Sequence, residues 1–262
     1  MVRTPALTRW KTRVHVPAHF GAIHLTPSHE SRAKRHYLGA NVASSPEGFI
    51  VELDGRPLRT VAGRPVVLPT EALARLIAEE WNAQKDFIDF ETMPATRLAR
   101  AALDALPAIR GDLARRVVDF ADDDLLCYFA ETPPKLVRQQ QLVWQPILIW
   151  VEAELGQPIR RSIGVVHQDK SPTLLAAVEA RALALSDLEL AGLASAAQLF
   201  GSAFLAFALQ AGRLSGAAAF AASRIDEVFQ AETWGEDAEA ACRTGAIEVD
   251  AQMLDQWFAA LA

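Results

Sequence analysis

Few side chains in this sequence are spaced for metal chemistry. His15 and His19 have the i, i+4 spacing that would place two metal ligands on one side of a helix. Pro17 lies between them and disfavours a helix at that point. Glu30 is the single carboxylate nearby, whereas a closed metal site needs three or four fixed ligands. We therefore expect no metal site.

The acidic run Asp122–Asp124 and Cys127 are the next candidates for chemistry. Adjacent acids on a helix point in different directions, so the run predicts a solvated face or a helix end and not a cation site. A cysteine nucleophile needs a base in reach and a lowered pKa, and no acyl-transfer motif surrounds Cys127 or His167. We interpret Cys127 as a buried structural residue. The glycines form neither a phosphate-binding loop nor a dinucleotide fingerprint, so we expect no cofactor.

Composition limits the classes of partner. The chain has 262 residues, of which 51% are hydrophobic, which excludes disorder of the whole chain. The net charge is −6, but residues 1–40 hold seven Lys/Arg and one acid, which leaves 19 basic and 31 acidic residues in the remainder. An acidic body disfavours nucleic acid as a partner and suits a protein that presents basic groups. Two distant cysteines favour a reduced, cytoplasmic compartment.

The first 33 residues form a basic segment that we expect to be a loose extension. It lacks the apolar core of a secretory signal. Its low content of acids resembles that of an organellar transit peptide. The favoured alternative is a disordered bacterial extension or an upstream start codon.

The next part of the chain predicts a small sheet with a helix packed on it. Alternating residues at Phe49–Leu53 are typical of a strand, and Asp54-Gly55 supplies the positive φ of a tight hairpin. Leu58–Thr60 can be the returning strand, and Val66–Leu68 a third short strand. Thr70 is placed to cap a helix over 71–84, with Trp81 on its apolar side.

From Thr70 onward the pattern is helical. Ser186 begins a capping box, and the helix that it starts leads into Ala191–Ala211, which has no charged residue over 21 positions. That length could span a bilayer, but Phe200, Phe204 and Phe207 form a stripe typical of a buried helix in a soluble protein. Further helices are predicted near 95–106, 109–130, 135–155, 216–232 and 249–260. The fold class is therefore α+β, with a small α+β domain over 34–85 and an α-helical domain over 86–262.

The last segment is acidic and rich in aromatic residues. Trp234, Trp257, Phe229 and Phe258 could form an apolar patch with an acidic rim, as protein interfaces do. The same residues could instead pack in the core. The sequence leaves both possibilities open.

Several short motifs follow one another over roughly 200 residues of this chain. The motifs are Lys34-Arg35-His36-Tyr37, Leu53 to Thr60, Glu80 to Gln84, Met93-Pro94, Asp124 to Tyr128, Gln141 to Trp150, Asp226 to Gln230 and Trp234-Gly235. In content and order they resemble one family, the assembly chaperones that bind the alpha subunit of the catalytic head of F-type ATP synthase. Agreement over that length makes chance an unsatisfactory explanation.

The resemblance implies a chaperone without catalytic residues. Such a protein would bind the free alpha subunit and shield its beta-facing surface until assembly. It would be a monomer when free, without membrane insertion, in the bacterial cytoplasm or, in a eukaryotic host, the mitochondrial matrix. Within the matched motifs and the acidic final segment, we expect partner contacts from Asp226, Glu227, Gln230 and Glu239. We expect structural roles for Trp81, Asp54, Gly55, Trp144, Trp234 and Gly235.

The chain departs from the family pattern at four positions, and two other functions stay open. Val61 replaces a usual proline, Gly201 a lysine, and Ala241 and Cys242 a His-Asp pair. One alternative is an enzyme with carboxylates in an interdomain cleft. The other is a membrane-associated scaffold that uses the uncharged run.

Overall fold

A four-stranded antiparallel sheet opens the described part of the chain. The structure is a computed structural model that describes residues 33–164, 166–235 and 238–262. Residues 1–32, which include His15, His19 and nearly all of the predicted extension, lie outside that part. The central strand β2 pairs with each of the other three strands, and Val42 lies opposite Val51 in its pairing with β1. The strands are β1 (Ala40–Ser45), β2 (Gly48–Leu53), β3 (Arg56–Pro57) and β4 (Val67–Leu68).

The hairpin between β2 and β3 turns at the predicted residues. Asp54 and Gly55 both have positive φ, 48° and 78°, as a two-residue hairpin turn requires. The Asp54 carboxylate also accepts backbone hydrogen bonds from Leu38 (2.8 Å) and Gly39 (3.0 Å), and these bonds lower the pKa of Asp54. The predicted returning strand Leu58–Thr60 is displaced, because pairing starts directly after the turn at Arg56–Pro57. Strand β1 was not predicted.

Helix α1 (Glu71–Asn82) packs on this sheet. The Thr70 hydroxyl accepts a hydrogen bond from the Leu73 backbone N–H (3.2 Å), which confirms the predicted cap. Leu73, Ile77 and Trp81 are buried on its inner side. At the last residue of α1, the Asn82 side chain accepts a hydrogen bond from the Ala40 N–H and donates one to the Ala40 carbonyl, each at 2.8 Å. These two bonds satisfy the backbone groups of Ala40 on the outer edge of β1.

Helix α2 (Pro94–Asp122) runs through Pro107, so the prediction of two helices divided at that proline is wrong. A proline inside a helix has no N–H for the carbonyl four residues earlier, here that of Leu103. The Arg64 guanidinium donates a hydrogen bond to the Leu103 carbonyl instead, and it also pairs with Asp104 (3.0 Å). A tertiary contact therefore replaces the missing helical hydrogen bond.

The chain then forms a small parallel pair and two helices. Strand β5 (Tyr128–Phe129) pairs with β6 (Ser162–Ile163). Between these strands lies α3 (Pro134–Leu155), which contains Pro146 and ends at Gly156 with φ 61°. Helix α4 (Pro172–Leu183) follows, and the Ser171 side chain caps its first turn. Short 3₁₀ helices lie at Phe90–Thr92 and Leu125–Cys127.

The uncharged run forms two helices and not one. Helix α5 (Asp187–Phe200) starts at the predicted Ser186 capping box, and α6 (Ala203–Gln210) follows after Gly201, which has φ 63°. Phe200, Phe204 and Phe207 are buried, so the predicted core stripe is confirmed while the continuous helix is wrong. Among the described residues, no helix is both long enough and apolar enough to cross a membrane.

Three helices complete the α-helical part around α5. They are α7 (Gly216–Ser223), α8 (Ile225–Trp234) and α9 (Ala238–Leu261). The predicted helix over 216–232 is divided at Arg224, and the last helix begins well before residue 249. Helix α5 packs against α2, α4, α6, α7 and α9, and α9 also packs against α1. The α+β fold class with a multihelical second part is confirmed, while the boundary after residue 85 stays a prediction.

A buried carboxylate joins the end of α2 to the start of α6. Asp124 accepts hydrogen bonds from the Ser202 hydroxyl (2.7 Å) and from the backbone N–H groups of Leu126 (3.0 Å) and Phe204 (3.0 Å). Burial raises the pKa of Asp124 to about 7, although these three hydrogen bonds act in the opposite direction. The helix-end role predicted for the acidic run is therefore right for Asp124, whereas a solvated position is wrong for it.

Replacing Asp124 by Asn tests this junction. The substitution replaces one carboxylate oxygen, which accepts, by an NH₂ group, which donates. In this fully buried site the NH₂ group would face another N–H or O–H donor. We expect the free energy of unfolding in urea to fall by about 1–3 kcal/mol. Asp123→Asn is the matched control because Asp123 is exposed, and we expect a change below about 0.5 kcal/mol. Equal effects of the two substitutions would contradict this role of Asp124.

Candidate partner-binding site

The predicted contact residues lie on α8, which is fixed against α3 by a buried amide. Gln140 on α3 is fully buried, and its side-chain oxygen accepts a hydrogen bond from the Ala130 backbone N–H (2.7 Å). Its side-chain nitrogen donates to the Asp226 carboxylate (2.6 Å). Because both ends of the amide are bonded, Gln140 sets the position of the first turn of α8.

Asp226 is largely engaged within the molecule. Burial raises the pKa of Asp226, the hydrogen bond from Gln140 lowers it, and the neighbouring Glu227 carboxylate raises it. Its carboxylate thus connects α8 to α3. A direct contact between Asp226 and a partner stays a prediction.

Glu227 and Gln230 are exposed and lie three residues apart, so they share one side of α8. The Glu227 carboxylate is 3.1 Å from the Arg224 guanidinium. Exposed ion pairs of this kind contribute under about 1 kcal/mol, so Glu227 can exchange Arg224 for a basic group of a partner at little cost. Val228, 52% exposed, adds an apolar side chain to the helix surface next to Glu227.

The other end of α8 is also attached to α3. The Lys135 ammonium is 2.8 Å from the Glu232 carboxylate and 5.6 Å from the centre of the Phe229 ring. Helix α8 therefore contacts α3 at two points, of which the part-buried hydrogen bond between Gln140 and Asp226 is the main constraint.

The remaining predicted positions separate into two groups. Glu239 lies on α9 and Trp234 on α8, but both side chains are outside the described residues. Trp257 and Phe258 are buried, and the Trp257 indole N–H donates to the Leu188 carbonyl (3.1 Å). Core packing is thus the correct alternative for Trp257 and Phe258.

The structure describes the surroundings of three residues for which structural roles were expected, and those roles stay predictions. Trp81 is 5% exposed, and its ring meets Tyr37 and Phe90 edge to face. Trp144 is fully buried and its indole N–H donates to the Ala222 carbonyl on α7 (2.8 Å). Gly235 follows the last residue of α8 with φ 93°.

His167, the single histidine among the described residues after residue 85, lies beside the acidic run. The Tyr128 hydroxyl lies 2.8 Å from His167 Nδ1 and donates to the Asp123 carboxylate. Across residues 33–164, 166–235 and 238–262, no group of three or more His, Cys, Asp or Glu side chains could hold a metal ion. Burial raises the pKa of Cys127 to about 12, which makes its thiol a poor nucleophile.

One surface feature was missed from the sequence. Leu142 and Ile149 on α3 are 70% and 52% exposed, and with Pro146 they line a shallow groove of about 520 Å³. Trp150 and Arg213 also line it. The sequence did contain an indication of this feature. The predicted helix 135–155 carries apolar residues on more than one side, whereas a surface helix needs only one apolar side to face a core.

Removing the two adjacent acids should separate their roles. Asp226→Ala leaves the buried Gln140 donor without its acceptor, so the free energy of unfolding should fall by about 1–3 kcal/mol. Glu227→Ala removes an exposed pair and should change it by less than about 0.5 kcal/mol. Urea unfolding of both variants measures the difference, and a larger loss from Glu227→Ala would contradict the geometry.

Comparisons with known proteins agree on one family. The model of the ATP12 chaperone protein family matches residues 34–152. The mitochondrial protein atp12 of Schizosaccharomyces pombe is 26% identical over 198 residues, which cover 71% of this chain and 68% of that protein.

Solved structures extend the match to nearly the whole chain. The crystal structure of Atp12 from Paracoccus denitrificans is 36% identical, with a TM-score of 0.82, and the match covers 88% of this chain and 99% of that one. A candidate chaperone from Agrobacterium tumefaciens is 36% identical, with a TM-score of 0.81, over 87% of this chain and 86% of that one. The chain therefore belongs to the ATP12 family, the ATP synthase assembly chaperones whose motifs its sequence resembles.

Proposed function

We propose that this chain binds the free alpha subunit of the F-type ATP synthase head and covers its beta-facing surface until assembly. The observation that carries the proposal is the family membership, at 36% identity over almost the full length of a solved relative. A subunit awaiting its partner exposes a large obligate interface, and such interfaces are apolar and prone to aggregate. A protein that shields this surface needs neither a catalytic group nor a nucleotide.

The contacts that we assign to the alpha subunit centre on the exposed side of α8. Glu227 supplies a carboxylate for a basic group, and Gln230 supplies an amide on the same side of the helix. The hydrogen bond from the buried Gln140 side chain positions this helix on α3, so little ordering is needed when the partner binds. Asp226 then acts mainly by positioning Glu227.

The remaining parts of the proposal concern the state of the chain. It acts as a monomer when free, without a cofactor and without enzymatic turnover. It works in the cytoplasm of a bacterium, or in the mitochondrial matrix if the host is a eukaryote.

Charge reversal at Glu227 tests the contact. We expect Glu227→Lys to reduce the co-purified alpha subunit by about tenfold, because a buried like-charge contact costs more than about 1 kcal/mol, while the melting temperature stays unchanged. Pull-down of alpha subunit by tagged chain, with and without excess beta subunit, measures both capture and release.

Glu71→Lys is a closely matched control. Glu71 and Glu227 are each in the first turn of a helix, each have 49% of the side chain exposed, and each pair with a neighbouring arginine. Only the change on α8 should weaken capture. Normal capture by Glu227→Lys would show that this side of α8 does not bind the alpha subunit.

A further inference from the structure

We infer that the groove on α3 is a second contact surface for the same partner, and that it receives an apolar segment carrying a carboxylate. The inference rests on the proposed function and adds a location and a chemistry that the acidic residues of α8 do not supply. We define the α3 groove by Leu142, Pro146, Ile149, Trp150 and Arg213.

The groove follows one side of α3. Leu142, Pro146 and Ile149 are spaced by four and three residues, so they align along the helix. The opposite side, with Gln140, Trp144 and Leu148, is fully buried. Burial of that side fixes the helix, so the exposed apolar side chains stand on a rigid element and not on a loop. Exposed apolar residues grouped in this way, with a polar rim, are typical of interaction sites.

The charges of the groove indicate what the partner carries. The Arg213 guanidinium lies 6.0 Å from the centre of the Trp150 ring, and Arg213 is exposed. No carboxylate is among the described residues that line the groove, and its other polar members, Gln141 and Gln145, are neutral amides. An arginine held against an aromatic ring beside apolar side chains is suited to a carboxylate on an otherwise apolar segment.

Two other occupants fit the groove less well. Two copies of this chain facing each other through their grooves would offer Arg213 no carboxylate, since neither groove contains one. A membrane surface attracts clusters of several basic residues, whereas this groove has a single arginine.

The groove is also close to α8 along the same helix. Lys135 precedes Leu142 by seven residues, about two turns, and so lies on the same side of α3. Lys135 contacts both Phe229 and Glu232 of α8. The groove and the exposed side of α8 are thus supported by one pair of helices, and one partner can contact both.

Two variants test the groove by independent chemistry. Ile149→Asp places a carboxylate among the apolar side chains, and Arg213→Glu reverses the charge. We expect each to reduce the alpha subunit that co-purifies with tagged chain by about tenfold, as the loss of a central contact does. Both sites are exposed, so thermal melts should match the unmodified chain. Val61→Asp, at a residue that is 84% exposed on the sheet side of the molecule, is the control and should bind normally.

The outcomes distinguish this inference from the proposed function. If the unmodified chain captures the alpha subunit and both Ile149→Asp and Arg213→Glu capture the same amount, the groove is not a contact surface, while the proposed function stands. No capture by the unmodified chain would contradict the proposed function itself. Sedimentation of the free chain tests whether a second copy of the chain occupies the groove. A dimer that Ile149→Asp dissociates would assign the groove to that second copy and would also overturn the inference.

Discussion

The structure depends on enclosing a pair of helices that carry no charge between Ala191 and Ala211. Most of α5 and nearly all of α6 are buried, so other helices must cover them on several sides. Helices α2, α4, α7 and α9 pack against α5, and α3, α7 and α9 pack against α6. Ser202, in the turn between the two helices, is buried, and Asp124 at the end of α2 accepts hydrogen bonds from its hydroxyl and from the Phe204 N–H. Apolar burial thus sets the arrangement, and one buried carboxylate makes its central turn possible.

The proposed partner surface follows from this arrangement. Helix α3 packs against α6, and its side chains Trp144 and Leu148 are fully buried while Leu142 and Ile149 are exposed. Helix α8 is then attached to α3 through Gln140 and Lys135. The exposed acid of α8 and the apolar groove of α3 are therefore not isolated features. Both are outer sides of elements whose inner sides complete the core, so the surface proposed for the partner stands on a rigid support.

Local signals in the sequence were sufficient for several elements, whereas long-range contacts decided the rest. The Asp54-Gly55 turn, the Thr70 cap and the Ser186 capping box depend on neighbouring residues and were predicted correctly. The passage of α2 through Pro107 depends on Arg64, and the position of α6 depends on Asp124, 78 residues before Ser202. In the site, Asp226 and Glu227 are adjacent acids that sequence patterns cannot separate. Gln140, 86 residues earlier, bonds the half-buried Asp226 and leaves Glu227 exposed.

The central claim is that this chain shelters an unassembled subunit by complementarity of shape and charge. Its most direct test is light scattering from isolated alpha subunit diluted from denaturant, with and without an equimolar amount of the purified chain and no nucleotide. The account predicts that the chain suppresses aggregation, and that added beta subunit displaces it into an alpha–beta complex. Aggregation at the same rate with and without the chain would contradict the account.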